Sequence, residues 1–311
     1  MLADVVNAFS RRVILAASES EAIRSFARRH GLRFGARRFV AGETFEAAVP
    51  VLRQLNERGL LTNTTLLGEG VREPDETLTF VEEYERVLDA IAREALRANL
   101  AVKPTHLGLA LDPELASENL ARLTAHAAGH GNFVRMDMEE FRYVDPTLAV
   151  YRRLRAGGTT NIGIVLQAYL YRSEHDLESL LELEPNVRVC KGAYLEPPEV
   201  AYPEKKDVDA AYVRLLELAL RRAGFVGIAT HDERMIEHAI AFVARERIPG
   251  ERFQFQMLYG VRPQLQLSLV RRGYRVLVAT PYGPDWYRYL MRRLAERPAN
   301  IAFLLRNLVR R

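Results

Sequence analysis

Apolar positions along this chain follow two alternating periods. From residue 60 onward, short runs of apolar and β-branched residues are each followed by a longer stretch with apolar residues at helical spacing. The short runs predict strands over 62–67, 100–103, 132–138, 162–167, 187–191, 226–230, 253–257 and 274–279. The longer stretches predict helices over 74–97, from 112–113, from 145–146, and over 173–183, 208–222, 233–245, 263–272 and 285–296. Asp112–Pro113 and Asp145–Pro146 each read as a cap followed by a proline at the first helical position, and Asp232 reads as a cap before residue 233. Pro298 breaks the last helix, and an amphipathic tail follows over 301–311.

Residues 1–58 carry no strand pattern. Stretches 4–17 and 21–30 are amphipathic and arginine-rich, and Thr44 is placed to cap a helix over 45–58 that Gly59 ends. This predicts an N-terminal helical segment (1–58) ahead of a main domain with a C-terminal helix (59–311). Eight strand–helix units imply parallel strands with right-handed crossovers, hence an α/β chain folded as a closed (βα)8 barrel of the TIM type. An open doubly wound sheet is the competing topology. It would bring a glycine-rich nucleotide loop after the first strand, and LLGEG at 66–70 is not GxGxxG.

Composition narrows the partners. With 311 residues at 48% hydrophobic, the chain can bury one large core. The net charge is only +4 and the basic residues are scattered, so nucleic-acid binding is not expected. One cysteine, Cys190, precludes an intrachain disulfide and fits a reducing, cytoplasmic compartment. No apolar run approaches the length of a membrane span, and VILAA after Arg11–Arg12 is too short for a secretory signal. Of the 44 basic side chains only four are lysines, and Lys103 and Lys191 each close a predicted strand. An ammonium is a compact point charge on a flexible stem, unlike the planar arginine fork, so these two positions are read as needing it.

Barrel enzymes place their chemistry at the C-terminal ends of strands. Those ends carry Glu69, Lys103, Asp137, Gln167, Arg188 with Lys191, Thr230 with His231, and Gln256 with Tyr259. Arg188 lies inside an otherwise apolar strand, where a cation is costly unless something electron-rich meets it. An ion pair with a neighbouring loop accounts for it as well as a ligand does. Asp137 has Arg135 as an alternative partner, and Thr230 and His231 also read as plain lead-in to the cap at Asp232. The spacing offers no HExxH, no cysteine cluster and no GxSxG, so no metal centre and no serine nucleophile are expected. Cations remain: Lys103, Arg188, Lys191, and Arg292–Arg293 on the last barrel helix, where Tyr289 and Glu296 share a broad face.

Seven segments taken together resemble the proline dehydrogenases, flavin-dependent (βα)8 barrels. They are LLGE at 66–69, VRMDME at 134–139, GIVLQAYLYR at 163–172, RVCKGAYLEP at 188–197, ATHDER at 229–234, FQFQMLYGVRP at 253–263 and PYGPDWYRYLMRRLAERPAN at 281–300. The helical preface resembles that of the short bacterial single-function members. The resemblance implies FAD as cofactor, with Arg188 beside flavin N5 and Gln167 at the pyrimidine edge. Met138, Lys191, Gly192, Ala193, Thr230 and His231 would hold the rest of it, with Glu296 nearby. It also implies that Lys103, Arg292 and Arg293 bind the carboxylate of L-proline, beside Tyr194, and that Asp137 organises the substrate end of the pocket. Glu69 and Arg292 would close over the pocket as a gate. The implied reaction is hydride transfer from proline C5 to flavin N5, giving 1-pyrroline-5-carboxylate. A membrane quinone would accept the electrons, contacted from the inner face of the cell membrane, and a separate pyrroline-5-carboxylate dehydrogenase would consume the product.

Two positions depart from the family pattern. Ala279 stands where a tyrosine is common, which implies weaker discrimination against hydroxyproline or a bulkier cyclic amine. Thr65 stands where an aspartate is frequent. Three rivals remain: from chemistry alone, a Schiff-base aldolase using Lys191 or Lys103 with a phosphate on the arginines; closer to the resemblance, a flavin-dependent barrel acting on another cyclic amino acid; and a non-catalytic scaffold whose strand-end charges are structural ion pairs.

Overall fold

Eight parallel strands close on one another in chain order in the computed structural model, which describes residues 38–68, 70–287 and 289–291. They are β1 (Leu61–Leu66), β2 (Ala98–Val102), β3 (Val134–Met136), β4 (Ile162–Gln167), β5 (Asn186–Cys190), β6 (Phe225–Ala229), β7 (Phe253–Leu258) and β8 (Val276–Tyr282). The ring closes where β8 pairs with β1, from Leu61↔Leu277 to Leu66↔Tyr282. Around it run α1 (Phe45–Glu57), α2 (Pro74–Arg93), α3 (Pro113–Gly129), α4 (Val144–Ala156), α5 (Ser173–Glu178), α6 (Lys205–Arg222), α7 (Glu233–Arg245) and α8 (Pro263–Arg271). The expected (βα)8 barrel is the fold.

Several local signals act as anticipated. Thr44 Oγ1, Asp112 Oδ1 and Asp232 Oδ1 accept from the backbone N–H groups of Ala47, Glu114 and Arg234, capping α1, α3 and α7. Others differ. Asp145 does not cap α4: a 3-10 turn over Phe141–Tyr143 runs straight into a helix beginning at Val144, and the Asp145 carboxylate pairs with Arg172 at 2.5 Å instead. The helix expected to reach residue 97 ends at Arg93, because the chain turns at Ala95 (φ +48°) to feed β2. The helix expected over 173–183 stops at Glu178 and resumes only as a 3-10 turn. Strand β3 is short, ending at Met136, although the Asp137 N–H still donates to Val102 O of β2 at 2.9 Å.

α1 packs on β1 and β8 through buried Phe45, Ala48, Leu52 and Leu55, with Phe45 edge-on to Tyr282 at 5.5 Å. The segment read as a preface thus supplies, over 45–57, a helix of the outer ring. The chain beyond β8 goes elsewhere: Trp286, Tyr287, Tyr289 and Leu290 cluster with Phe39, Val40 and Leu67 at the end of β1. The stretches expected as helices over 4–17 and 21–30, and the tail over 301–311, lie outside the described residues.

The barrel interior is polar, whereas such barrels are ordinarily filled by branched aliphatics. Asn63, Arg135, Gln254 and Gln256 are each at most 5% exposed. Two strand glycines make room for them. A Cβ on Gly163 would lie 2.4 Å from Arg135 Nη1, and one on Gly227 would lie 2.3 Å from Gln256 Nε2.

Candidate active site

Arg188 is the hub of the upper barrel. It sits mid-strand in β5 between Val187 and Val189, which are fully buried against the outer helices, so strand alternation turns it inward. Its side chain is 12% exposed and bonded across the lumen. Nε donates to Gln256 Oε1 of β7 (2.5 Å), Nη2 to Asn63 Oδ1 of β1 (2.8 Å) and Nη1 to Asp137 Oδ1 (3.1 Å). Three elements thus fix the fork, and among the described residues its ion-pair partner is Asp137. Burial pushes the Asp137 carboxyl above its usual range, against the pull of Arg188, Lys103 and Arg135. Arg135, which was one candidate partner for Asp137, points the other way: it donates to the carbonyls of Ile164 (3.0 Å) and Asn186 (2.8 Å). Burial, with Arg188 nearby, lowers its pKa to about 9.

Lys103 leaves the end of β2 and donates from Nζ to Gly68 O at 2.7 Å, joining two strand ends. Beneath it His106 is fully buried, with Tyr84 Oη 2.7 Å from Nδ1 and the Phe80 ring stacked 4.1 Å away. Burial, aided by the Lys103 charge, lowers the His106 pKa to about 3, so the imidazole is neutral.

Gln167 ends β4 almost fully buried and donates from Nε2 to Glu139 O at 2.7 Å. That bond fixes the carboxamide orientation and leaves Oε1 without a partner. Gln256 is the mirror case: its Oε1 serves Arg188, and its Nε2 has no partner. Glu139 accepts from Thr105 through both backbone N–H (3.0 Å) and hydroxyl (2.9 Å), bracing the Met138 segment, and Met138 is itself buried.

After β5, Gly192 takes φ +109° under the Tyr169 ring, where an added Cβ would lie 2.2 Å from Cδ1. Ala193 and Tyr194 follow in the same loop. Lys191 points toward α6 and α7: its ammonium pairs with Asp209 and, at 3.4 Å, with Asp232. Burial raises both carboxyls, but Lys191 and Lys205 together, joined at Asp232 by the Arg234 N–H, outweigh it and both end up below their usual range. Thr230 Oγ1 accepts from Asp232 N–H (3.1 Å), and His231 Nε2 accepts from Leu258 N–H (2.8 Å), which requires an unprotonated Nε2. Cys190 is half-buried rather than fully buried, and burial pushes its thiol up to about 11.

The structure therefore brings Lys103, Asp137, Gln167, Arg188, Lys191, Thr230 and His231 to one end of the barrel. Glu69, Arg292, Arg293 and Glu296 lie outside the described residues. Residue reading missed Asn63, Glu139 and Asp209 as partners of these groups. An asparagine within the strand LTNTTL was a usable signal, because asparagine is depleted in strands. Asp209 left none, since an aspartate in the first turn of a helix is ordinary.

Fold and rim define a barrel enzyme whose strand ends carry fixed cations. The proline dehydrogenase family model matches residues 48–306. Proline dehydrogenase 1 of Bacillus subtilis strain 168 is 40% identical over 301 residues, covering 97% of this chain and 99% of its own. Proline dehydrogenase of Deinococcus radiodurans is 39% identical over 310 residues, covering 98% and 100%. The crystal structure of proline utilization A from Bdellovibrio bacteriovorus inactivated by N-propargylglycine superposes with a TM-score of 0.78 at 26% identity. That match covers 84% of this chain and 32% of the other, so this chain spans about a third of that longer protein. The chain belongs to the proline dehydrogenase family. The family is flavin-dependent.

Proposed function

We propose that the C-terminal rim of this barrel binds FAD and presents it to L-proline. The activity is oxidation of proline to 1-pyrroline-5-carboxylate, and the observation that carries it is 40% identity to a proline dehydrogenase over 97% of the chain. FAD, when bound, would supply a two-electron acceptor for the hydride on proline C5; the C5–N bond would become double and the nitrogen would give up a proton.

The donor set fits a flavin. Gln167 Oε1 and Gln256 Nε2 are an acceptor and a donor that no group among the described residues satisfies, and leaving both buried and unpaired costs about 1–3 kcal/mol each. An isoalloxazine offers both a ring N–H and ring acceptors. Arg188 supplies fixed positive charge where negative charge develops, and its three cross-lumen bonds mean that it does not reorganise during the reaction. Asp137 holds that guanidinium in place and balances its charge. Met138, Lys191, Gly192, Ala193, Thr230, His231 and Glu296 complete the cofactor contacts. Lys103, Tyr194, Arg292 and Arg293 take the substrate carboxylate, and Glu69 with Arg292 forms the gate.

A Schiff-base aldolase finds less support: Lys191 Nζ is held between Asp209 and Asp232, and Lys103 Nζ donates to Gly68 O. The reading extends to a membrane quinone as electron acceptor, a separate pyrroline-5-carboxylate dehydrogenase downstream, and a cytoplasmic enzyme that touches the inner membrane face. No helix among the described residues is long and apolar enough to cross a membrane. Anaerobic titration with L-proline tests the core of the proposal. Bleaching of the flavin absorbance, with time-dependent inactivation by N-propargylglycine, is expected. A purified chain that is colourless and takes up no FAD refutes it.

A further inference from the structure

The sequence pattern led to the expectation of no metal centre, yet a compact donor set lies at the end of the barrel opposite the rim. We propose that Asp89, His126 and His130 form a binding site for a divalent transition ion of the zinc, nickel or copper type, stapling α2 to α3. His126 and His130 are four residues apart at the end of α3, so both rings lie on one face of the helix, their centroids 5.2 Å apart. Asp89 faces them from the last turns of α2, which packs alongside α3. Its Oδ1 lies 2.7 Å from His126 Nε2 and 2.8 Å from His130 Nε2. The three ligand atoms lie within 4.8 Å of one another.

One carboxylate oxygen serving two imidazoles through the same ring nitrogen is the arrangement a shared cation replaces. A tetrahedral ion with bonds of about 2.0–2.1 Å needs donors roughly 3.3 Å apart, so the set opens by about half an ångström. The side chains have room to do so, being 50% exposed at Asp89, 31% at His126 and 32% at His130. Two imidazoles and one carboxylate select a first-row transition ion over magnesium or calcium, which take oxygen donors. The same exposure leaves water access to the remaining coordination positions. The site depends on no residue of the rim, so its fate is independent of the flavin assignment.

The test uses tag-free, chelator-treated, flavin-loaded protein titrated calorimetrically with zinc sulfate, with magnesium chloride as the control. About one zinc ion per chain is expected, with no magnesium uptake, and a thermal midpoint raised by roughly 5 °C at a hundredfold excess over Kd. His126→Gln and Asp89→Asn should each weaken binding at least tenfold and abolish the thermal shift, with proline oxidation unchanged. Zinc uptake of equal affinity in the wild type and in a His126→Gln/His130→Gln double variant overturns the proposal. So does the absence of uptake below millimolar zinc, which would leave the cluster as a hydrogen-bonded clasp only.

Discussion

Acidification should destabilise this protein through one identifiable residue, His106. The imidazole is fully buried, stacked on Phe80 and bonded to Tyr84, with Lys103 adding an unfavourable neighbouring charge. Its pKa falls from 6.5 in the unfolded chain to about 3 in the fold. Below pH 6.5 the unfolded chain therefore binds a proton that the folded chain refuses. The stability this group contributes is complete above that pH and is lost progressively as the pH drops toward 3. Between pH 7 and pH 5 the loss integrates to about 2 kcal/mol, approaching a limiting slope of about 1.4 kcal/mol per pH unit. The result is insensitive to the folded value as long as that value stays well below 5. Urea denaturation at the two pH values, on the wild type and on His106→Gln, isolates the effect from the carboxylates common to both. Glutamine can still bond Tyr84 but cannot take up the proton. The wild type should lose about 2 kcal/mol more than the variant over this interval. Equal losses in the two proteins would mean that His106 titrates normally, and the burial argument would fail.

Three further outcomes follow from packing and capping. Gly227→Ala puts a methyl 2.3 Å from Gln256 Nε2 and displaces the acceptor of Arg188 Nε. It should cost about 1–3 kcal/mol in chemical denaturation and weaken flavin retention; an unchanged midpoint would show that the lumen is looser than it looks. Asp112→Ala removes the cap bond to Glu114 N–H and should cost about 1 kcal/mol by the same assay, without altering proline kinetics. Ala279 belongs to β8, two residues before Pro281 at the rim. Ala279→Tyr should steepen the preference for proline over hydroxyproline in kcat/KM, and an unchanged ratio would remove Ala279 from the determinants of specificity.

Much of the architecture was legible before folding because it rests on local chemistry. The alternation of strand-like and helical periods sets eight units, and Thr44, Asp112 and Asp232 begin helices by bonding N–H groups only two or three residues away. The strand ends carrying Lys103, Asp137, Gln167 and Arg188 were legible too, since a closed parallel barrel sends every strand's C-terminus to one rim. Asp145 shows where local reading fails: its cap role was displaced by Arg172, a partner 27 residues away. Only the tertiary structure decides such contests, because they depend on which groups the closed barrel makes neighbours. The same holds for Arg188, whose partners Asn63, Asp137 and Gln256 come from three other strands or their ends. Sequence places a costly cation inside a strand; ring closure alone brings in the oxygens that hold it there.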